Sequence, residues 1–190
     1  MLCENFSLTH ICTPCQKTFL QPHLYKRILP SGIIVYSFYK YSEIKELLFT
    51  KHTDIGFHIY TILAKLSFSK FADEFHSKEI KRLVSIAIDD KPKNSYSHTA
   101  ILNKALKTYN IEPLYTKLYA TNDISYSGKS RVYRLENPRN FHLKRFKEKE
   151  IILVDDIITT GTTLTQAINI CHKAGKEVLF CLTLSDVNIK

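Results

Sequence analysis

A chain of 190 residues, 44% hydrophobic and 24% charged, has the balance of a globular protein with room for one α/β core and a small appendage. No apolar run approaches the roughly 20 residues a membrane helix needs, and the start MLCENFSLTH has no basic segment leading into an apolar one, so a cytoplasmic location is expected. With 27 Lys and Arg against 18 Asp and Glu, the formal charge of +9 favours phosphate-bearing partners and says nothing about fold.

The N-terminus holds Cys3, Cys12 and Cys15, three of the five cysteines. In a reducing compartment, clustered cysteines bind metal more often than they form disulfides. The Cys12-x2-Cys15 spacing can wrap one Zn²⁺, with Cys3 as a third ligand; a closed tetrahedral site needs one more, for which His10 and His23 are the candidates. Residues 1–28 are therefore expected to form a small zinc knuckle ahead of a main domain at 29–190. Cys171 and Cys181 fall within a predicted helix and strand and read as small buried apolar groups.

Beyond the turn signal Pro30-Ser31-Gly32, Ile33 to Tyr39 is rich in β-branched and aromatic residues and predicts a strand. Helices are predicted from Ser42 to about Lys51 and from Ile55 to about Phe71, the second from apolar residues near the 3.6 period. Arg82 to Ile88 reads as a strand feeding the polar loop Asp89-Asp90-Lys91-Pro92. Ser97 to Tyr109 carries an amphipathic helical face, and Leu114 to Tyr119 reads as a further strand. Strands alternating with helices predict a mainly parallel α/β sheet.

From Ala120 to Lys149 periodicity fades, predicting a long loop with at most one short pairing element, of the kind that serves as a functional lid. Within it, Asp123 to Ser130 (DISYSGKS) is a near miss to a nucleotide-binding P-loop: Asp123 stands where a glycine belongs, and no apolar helical face follows. The chain then gives a buried strand, Ile151 to Val154, a helix from Thr163 to Ala174 stopped by Gly175, and a final strand from Val178 to Leu184.

Between that strand and helix lies DDIITTGTT, Asp155 to Thr163. A strand ending in a Gly- and Thr-rich turn presents free backbone N–H groups and the positive end of a helix dipole, which together bind a phosphate. Gly161 is expected to let the backbone approach the ligand closely, while Thr159, Thr160, Thr162 and Thr163 add hydroxyl donors. Asp155 and Asp156 would repel a phosphate, so their target is a pair of ribose hydroxyls or a bound Mg²⁺. The combination specifies a sugar phosphate.

VDDIITTGTT closely resembles the phosphoribosyl-diphosphate (PRPP) motif of type I phosphoribosyltransferases. The resemblance implies that Asp155 and Asp156 meet the ribose 2′- and 3′-hydroxyls and that Thr159 to Thr163 cradle the 5′-phosphate. An N-terminal zinc knuckle joined to this motif is similar to the ComF family, and the likeness extends over Ile33 to Tyr41, the Lys51 region, the loop after Ile88 and Gly128 to Phe141. Two departures stand out: Cys3 has no pair mate, and the loop after Ile88 reads Asn94-Ser95-Tyr96-Ser97-His98 where that family often has Arg-Gly-Phe-Asn-Gln. The resemblance implies PRPP with Mg²⁺, and a role in natural competence beside other DNA-uptake proteins.

A basic stretch containing Lys129, Arg131, Arg134, Arg139, Lys144, Arg145, Lys147 and Lys149, interleaved with Tyr126, Tyr133, Phe141 and Phe146, has the residue types that bind single-stranded DNA. In a transferase, the loop from Asn122 to Asn140 would close over PRPP, with Lys129 or Arg134 reaching the diphosphate. Two readings stay open: a phosphoribosyltransferase with an unidentified acceptor and no evident general base, or a non-catalytic PRPP-responsive adaptor for single-stranded DNA.

Overall fold

A computed structural model describes residues 9–75, 82–89, 91–92, 95–122 and 131–189, with the backbone alone at 131, 134 and 135. Seven strands form one sheet in the order β1-β2-β7-β6-β3-β4-β5. They are β1 (Tyr25–Ile28), β2 (Ile34–Lys40), β3 (Leu83–Ile88), β4 (Ile111–Ala120), β5 (Phe141–Leu143), β6 (Glu150–Ile158) and β7 (Glu177–Asp186). The inner pairings are parallel, whereas β1 on β2 and β5 on β4 are antiparallel, so both edges of the sheet are closed by short antiparallel strands.

The parallel strands are buried on both faces, as crossover helices require, and β6 shows how. Its Ile152 and Val154 pack with Tyr60 and Leu63 of helix α3 (Asp54–Ala64), with Leu48 of α2 (Tyr41–Leu48) and with Leu102 of α5 (His98–Lys104). Ile151 and Leu153 pack on the opposite face with Leu164, Ala167, Ile168 and Cys171 of α7 (Thr162–Lys173). Cys171 and Cys181 are fully buried, and burial pushes the Cys171 thiol up to about 12, so both are inert apolar filling as expected.

Local chemistry sets the helix ends. The amide of Lys40 donates to the Glu43 carboxylate at 3.1 Å, closing the start of α2. Thr53 caps α3 through the Gly56 amide at 3.3 Å. Helix α3 runs on through a π-helical turn, Lys65–Ser69, into α4 (Lys70–Glu74); inside that turn the Ser67 hydroxyl donates to the Leu63 carbonyl at 2.6 Å. Helix α7 ends as predicted: Gly175 has φ +71°, its amide donates to the His172 carbonyl and the next amide, of Lys176, to that of Cys171, a complete Schellman cap.

Two expectations are corrected. The strand expected to stop at Val154 continues through both aspartates to Ile158, because β7 keeps pairing with it as far as Asp186. The stretch expected to be a loop with one pairing element also contains a short helix, α6 (Arg131–Glu136), besides β5; the P-loop-like segment 123–130 lies outside the described residues. Of the expected zinc ligands, Cys3 lies outside the described residues, among which no three His, Cys, Asp or Glu side chains are grouped to hold a metal ion. Cys12 precedes α1 (Thr13–Phe19) as its N-cap, with Pro in the first turn, and Cys15 is buried within that helix. His10 and His23 are engaged with other rings, His10 with His58 at 4.1 Å between centroids and His23 with Tyr25 at 6.2 Å. Residues 9–28 are part of the packed molecule: β1 hydrogen-bonds to β2, and the Leu20 carbonyl accepts the Tyr39 hydroxyl at 3.1 Å. Among the described residues no helix is long and apolar enough to cross a membrane.

Candidate functional site

In an open parallel sheet, ligands bind at the carboxyl ends of strands where successive connections leave in opposite directions. Here β3 connects outward to β4 and β6 connects outward to β7, so the crevice falls between the carboxyl ends of β3 and β6. Asp89 follows β3, and Asp155 and Asp156 lie in the last part of β6.

Neighbouring residues in a strand project to opposite faces, and the two acids follow that rule. Asp156 shares the face of Ile152 and Val154, where its Oδ2 receives Lys51 Nζ at 3.1 Å, His98 Nε2 at 3.3 Å and the Tyr60 hydroxyl at 3.5 Å. All three contacts fall on one oxygen; Oδ1 makes none among the described residues. Burial raises the Asp156 carboxyl, but the charge of Lys51, followed by the charge and hydrogen bond of His98, outweighs it and holds the group well below the usual carboxylate range. The same attraction raises Lys51. Burial, reinforced by Asp156, raises the Tyr60 phenol.

Asp155 has the opposite character. Its Oδ1 accepts the Asp156 amide at 2.9 Å, and burial together with the charge on Asp156 lifts its carboxyl well above the ordinary value. The two neighbouring carboxyls are thus shifted in opposite directions, Asp156 toward its charged form and Asp155 toward its neutral one, which can donate to a sugar hydroxyl as well as accept from it.

Three elements position this cage. The turn after α2 brings Lys51 and His52, α3 brings Tyr60, and Ser97, which caps α5 through the Ala100 amide at 3.1 Å, presents His98 at the helix start. Gly56 lets them converge: a Cβ there would lie 2.1 Å from the Thr50 carbonyl oxygen and 2.4 Å from the Tyr96 hydroxyl. That hydroxyl accepts the His52 amide at 3.0 Å, and His52 meets His98 ring to ring at 5.1 Å. Sequence reading singled out the Lys51 region and the His98 segment only as places of family likeness and missed the partnership with Asp156. The only local signal was the Ser97 cap ahead of His98.

Beyond β6, Thr159 and Thr160 form the turn and Gly161 caps α7 with φ +82° and no side-chain cap of its own; the Thr162 amide makes a long contact to Thr160 Oγ1 at 3.4 Å, and the amides after it in the first turn carry no side-chain cap. Gly161 is required for a reason other than the one expected: besides its left-handed backbone, a Cβ would meet Leu29 Cδ2 at 2.8 Å, on the protein side of the turn. Thr160 and Thr162 share a hydroxyl hydrogen bond at 2.8 Å, and the Thr165 hydroxyl donates to the Gly161 carbonyl at 2.9 Å. Thr160 is exposed and Thr159, Thr162 and Thr163 are half-buried, so the expected hydroxyl set does line one turn. Arg27 of β1 braces that turn, donating to the Thr159 carbonyl at 2.8 Å while paired with Asp186 at 3.1 Å.

Of the basic stretch, Lys129 lies outside the described residues, and Arg131 and Arg134 are placed on α6 by backbone only. Lys144 lies over the Tyr119 ring at 5.3 Å, and Lys176, beyond the stretch, lies over its Phe146 at 4.0 Å while its Nζ donates to the carbonyls of Phe146 and Glu148. The Arg145 carbonyl takes Lys117 Nζ at 3.4 Å. Arg139 turns toward the crevice instead: it is paired with Asp89, its amide donates to Gln166 of α7 at 3.2 Å, and its charge draws Asp155 slightly downward.

A Mg²⁺ that travels with a diphosphate needs only one or two carboxylates from the protein. Of the carboxylates at this crevice, Asp156 is already engaged by Lys51 and His98 and Asp89 by Arg139, which leaves Asp155 as the group that would meet the ion.

The comparisons with known proteins agree with this picture at the level of the family. A stretch of 40 residues is 45% identical to the transcriptional regulator GfcR of Methanosphaera stadtmanae, spanning 21% of this chain and only 20% of that protein. A hypoxanthine phosphoribosyltransferase from Staphylococcus aureus is similar at 17% identity with a TM-score of 0.40, covering 67% of this chain and 62% of that one, less than two-thirds of its length. An adenine phosphoribosyltransferase is similar at 12% identity and a TM-score of 0.42, covering 92% and 89% of the two chains. The orotate phosphoribosyltransferase of Aeropyrum pernix is similar at 15% and 0.38, covering 91% and 80%. The family that matches is not ComF. Residues 29–189 match the PRTase-CE family, and the chain belongs to it, with a fold of the type I phosphoribosyltransferase kind.

Proposed function

We propose that the chain binds PRPP with Mg²⁺ at the β6–α7 turn and transfers its phosphoribosyl group to an acceptor. The observation that carries this reading is the placement of the buried Asp155 and Asp156 immediately before an uncapped helix N-terminus, at the point where the connections of the sheet diverge. The 5′-phosphate would take the amides and hydroxyls of Thr159 to Thr163. Asp155 and the open Oδ1 of Asp156 would meet the ribose hydroxyls. Arg139, held beside Asp155 by Asp89, supplies positive charge on the diphosphate side. The unit carrying this chemistry is residues 29–190, and strand β1 of the preceding segment borders it.

Calorimetric titration with PRPP and Mg²⁺ tests the reading. Heat of binding is expected for the unmodified chain, with affinity at least about tenfold weaker in Asp155→Ala, which loses that residue's hydrogen bonds to the diol. No heat with the unmodified chain overturns it. Binding without diphosphate release, across a panel of acceptors, would leave a PRPP-responsive adaptor in place of a transferase. A competence role with handling of single-stranded DNA has no observation in its favour; of the rings expected to stack bases, Phe146 is covered by Lys176.

A further inference from the structure

A carboxylate that recognises a diol has to present an oxygen in a fixed direction, yet the outer torsion of an aspartate side chain is broad and its two oxygens are interchangeable. Asp155 is fixed by the backbone itself, because its Oδ1 accepts the amide of Asp156 at 2.9 Å. The Asp156 carboxylate is oriented by side chains instead: Lys51, His98 and Tyr60 all gather on Oδ2, and Oδ1 stays uncommitted among the described residues.

The three donors are not equal. Lys51 ends a flexible four-carbon stem and its side chain is 31% exposed, so it follows the carboxylate as a point charge and does not set its plane. The Tyr60 hydroxyl, at 3.5 Å, is at the limit of hydrogen-bond reach. His98 is the stiff member. With Nε2 at 3.3 Å from Oδ2, its imidazole carries a hydrogen on that nitrogen and donates it. The ring meets His52 edge-to-face at 5.1 Å and Tyr60 at 5.4 Å between centroids, and the Ser97 cap anchors its backbone at the start of α5. His52 is in turn held in the left-handed region, at φ +70°, where the Tyr96 hydroxyl accepts its amide at 3.0 Å. A histidine with that backbone is strained and persists only where its surroundings hold it.

We infer that His98 is a positioning residue for ribose recognition: by fixing Oδ2 of Asp156 it aims Oδ1 at the sugar diol, and so separates ribose phosphates from phosphates that lack the diol. The inference rests on the sugar-phosphate reading above. His98 acts through Asp156, so its loss is felt by a ligand through the diol and not through the phosphate turn.

The test compares ribose 5-phosphate with 2,3-dideoxyribose 5-phosphate, which share the phosphate and differ in the diol, by ligand-observed NMR titration. The unmodified chain is expected to bind the ribose probe more tightly. His98→Ala should weaken the ribose probe about five- to tenfold, the worth of roughly one hydrogen bond, and leave the dideoxy probe within about twofold. His98→Gln, whose amide can donate to the same oxygen, should recover most of that loss. His98→Leu keeps bulk against His52 and Tyr60 and serves as a second removal, so that misfolding of one variant, seen by circular dichroism, does not decide the matter. A role in stability alone would weaken both probes alike. Equal losses for the two probes, unchanged affinity for the ribose probe in the folded removal variants, or no recovery in His98→Gln overturns the inference. Equal affinity of the two probes for the unmodified chain also overturns it. Binding of neither probe to the unmodified chain is a different result: it removes the sugar-phosphate reading itself, and the role of His98 falls with it.

Discussion

The β6–α7 turn and the basic stretch after β4 both carry, in sequence, the residue types that attract phosphate, yet they fold into opposite situations. At the turn, a strand ending at a divergence point and a helix with no side-chain cap leave amides and hydroxyls open, with two acids fixed beside them. In the basic stretch, Lys144 is engaged on Tyr119 and Arg139 on Asp89, while Lys176 from beyond it covers Phe146 and takes two of its carbonyls. Charge density in a sequence does not make a site. Whether the fold leaves donors uncommitted does.

The largest way to break this contrast is at Asp156. Asp156→Ala leaves Lys51 and His98 without their carboxylate; losing one partner of a buried ion pair costs roughly 3–5 kcal/mol. With the Lys51 side chain 31% exposed and able to rehydrate, about 2–3 kcal/mol is expected from urea unfolding. Gly161→Ala should cost about 1–2 kcal/mol from its left-handed backbone, with a further loss from the contact with Leu29. Leu29→Ala in the same chain should recover only that second part. On the other side of the comparison, Lys176→Met removes two hydrogen bonds and a ring contact and should cost about 1 kcal/mol, showing that this lysine is structural.

A smaller effect is confined to certain pH values. The raised Asp155 holds its proton in the folded chain where the unfolded chain has released it, so it takes stability away as pH climbs above about 4. Asp155→Asn removes that loss, and its stability relative to the unmodified chain should grow with rising pH. The depressed Asp156 acts in reverse: its contribution is complete above the unfolded value and disappears as pH falls through the lower folded one. Unfolding curves across the acid to neutral range check both signs. The smallest change is expected from Lys144→Ala or Arg145→Ala on binding to an oligothymidylate, about twofold at most; a steep loss of affinity and of salt dependence would reinstate the basic stretch as a contact surface.

Much of the frame was legible because it is local. The β-branched run Ile34–Lys40 and the helical period of α7 with Gly175 behind it carry their own signals, and both elements form where the pattern puts them. Strand β6 was read too short because two aspartates look like a loop, although pairing with β7 alone carries the strand past them to its end. Strand β1 escaped notice because only four residues alternate in burial at the sheet edge. The cage was illegible for a different reason: Lys51 and Tyr60 lie 105 and 96 positions from Asp156, and no local pattern signals such a meeting. The Cys12–Cys15 separation also fits one turn of a helix, which is what Pro14 helps to start.

Arg27 reaches across 132 positions to hold the Thr159 carbonyl, so an outermost ribbon of the sheet and the phosphate turn share one fastening. β1 is otherwise paired along one side only, with β2, and its amides should be among the quickest in the sheet to exchange with heavy water. Filling the turn would tighten that fastening and slow this exchange, so four consecutive amides remote from the aspartates become a built-in gauge of occupancy.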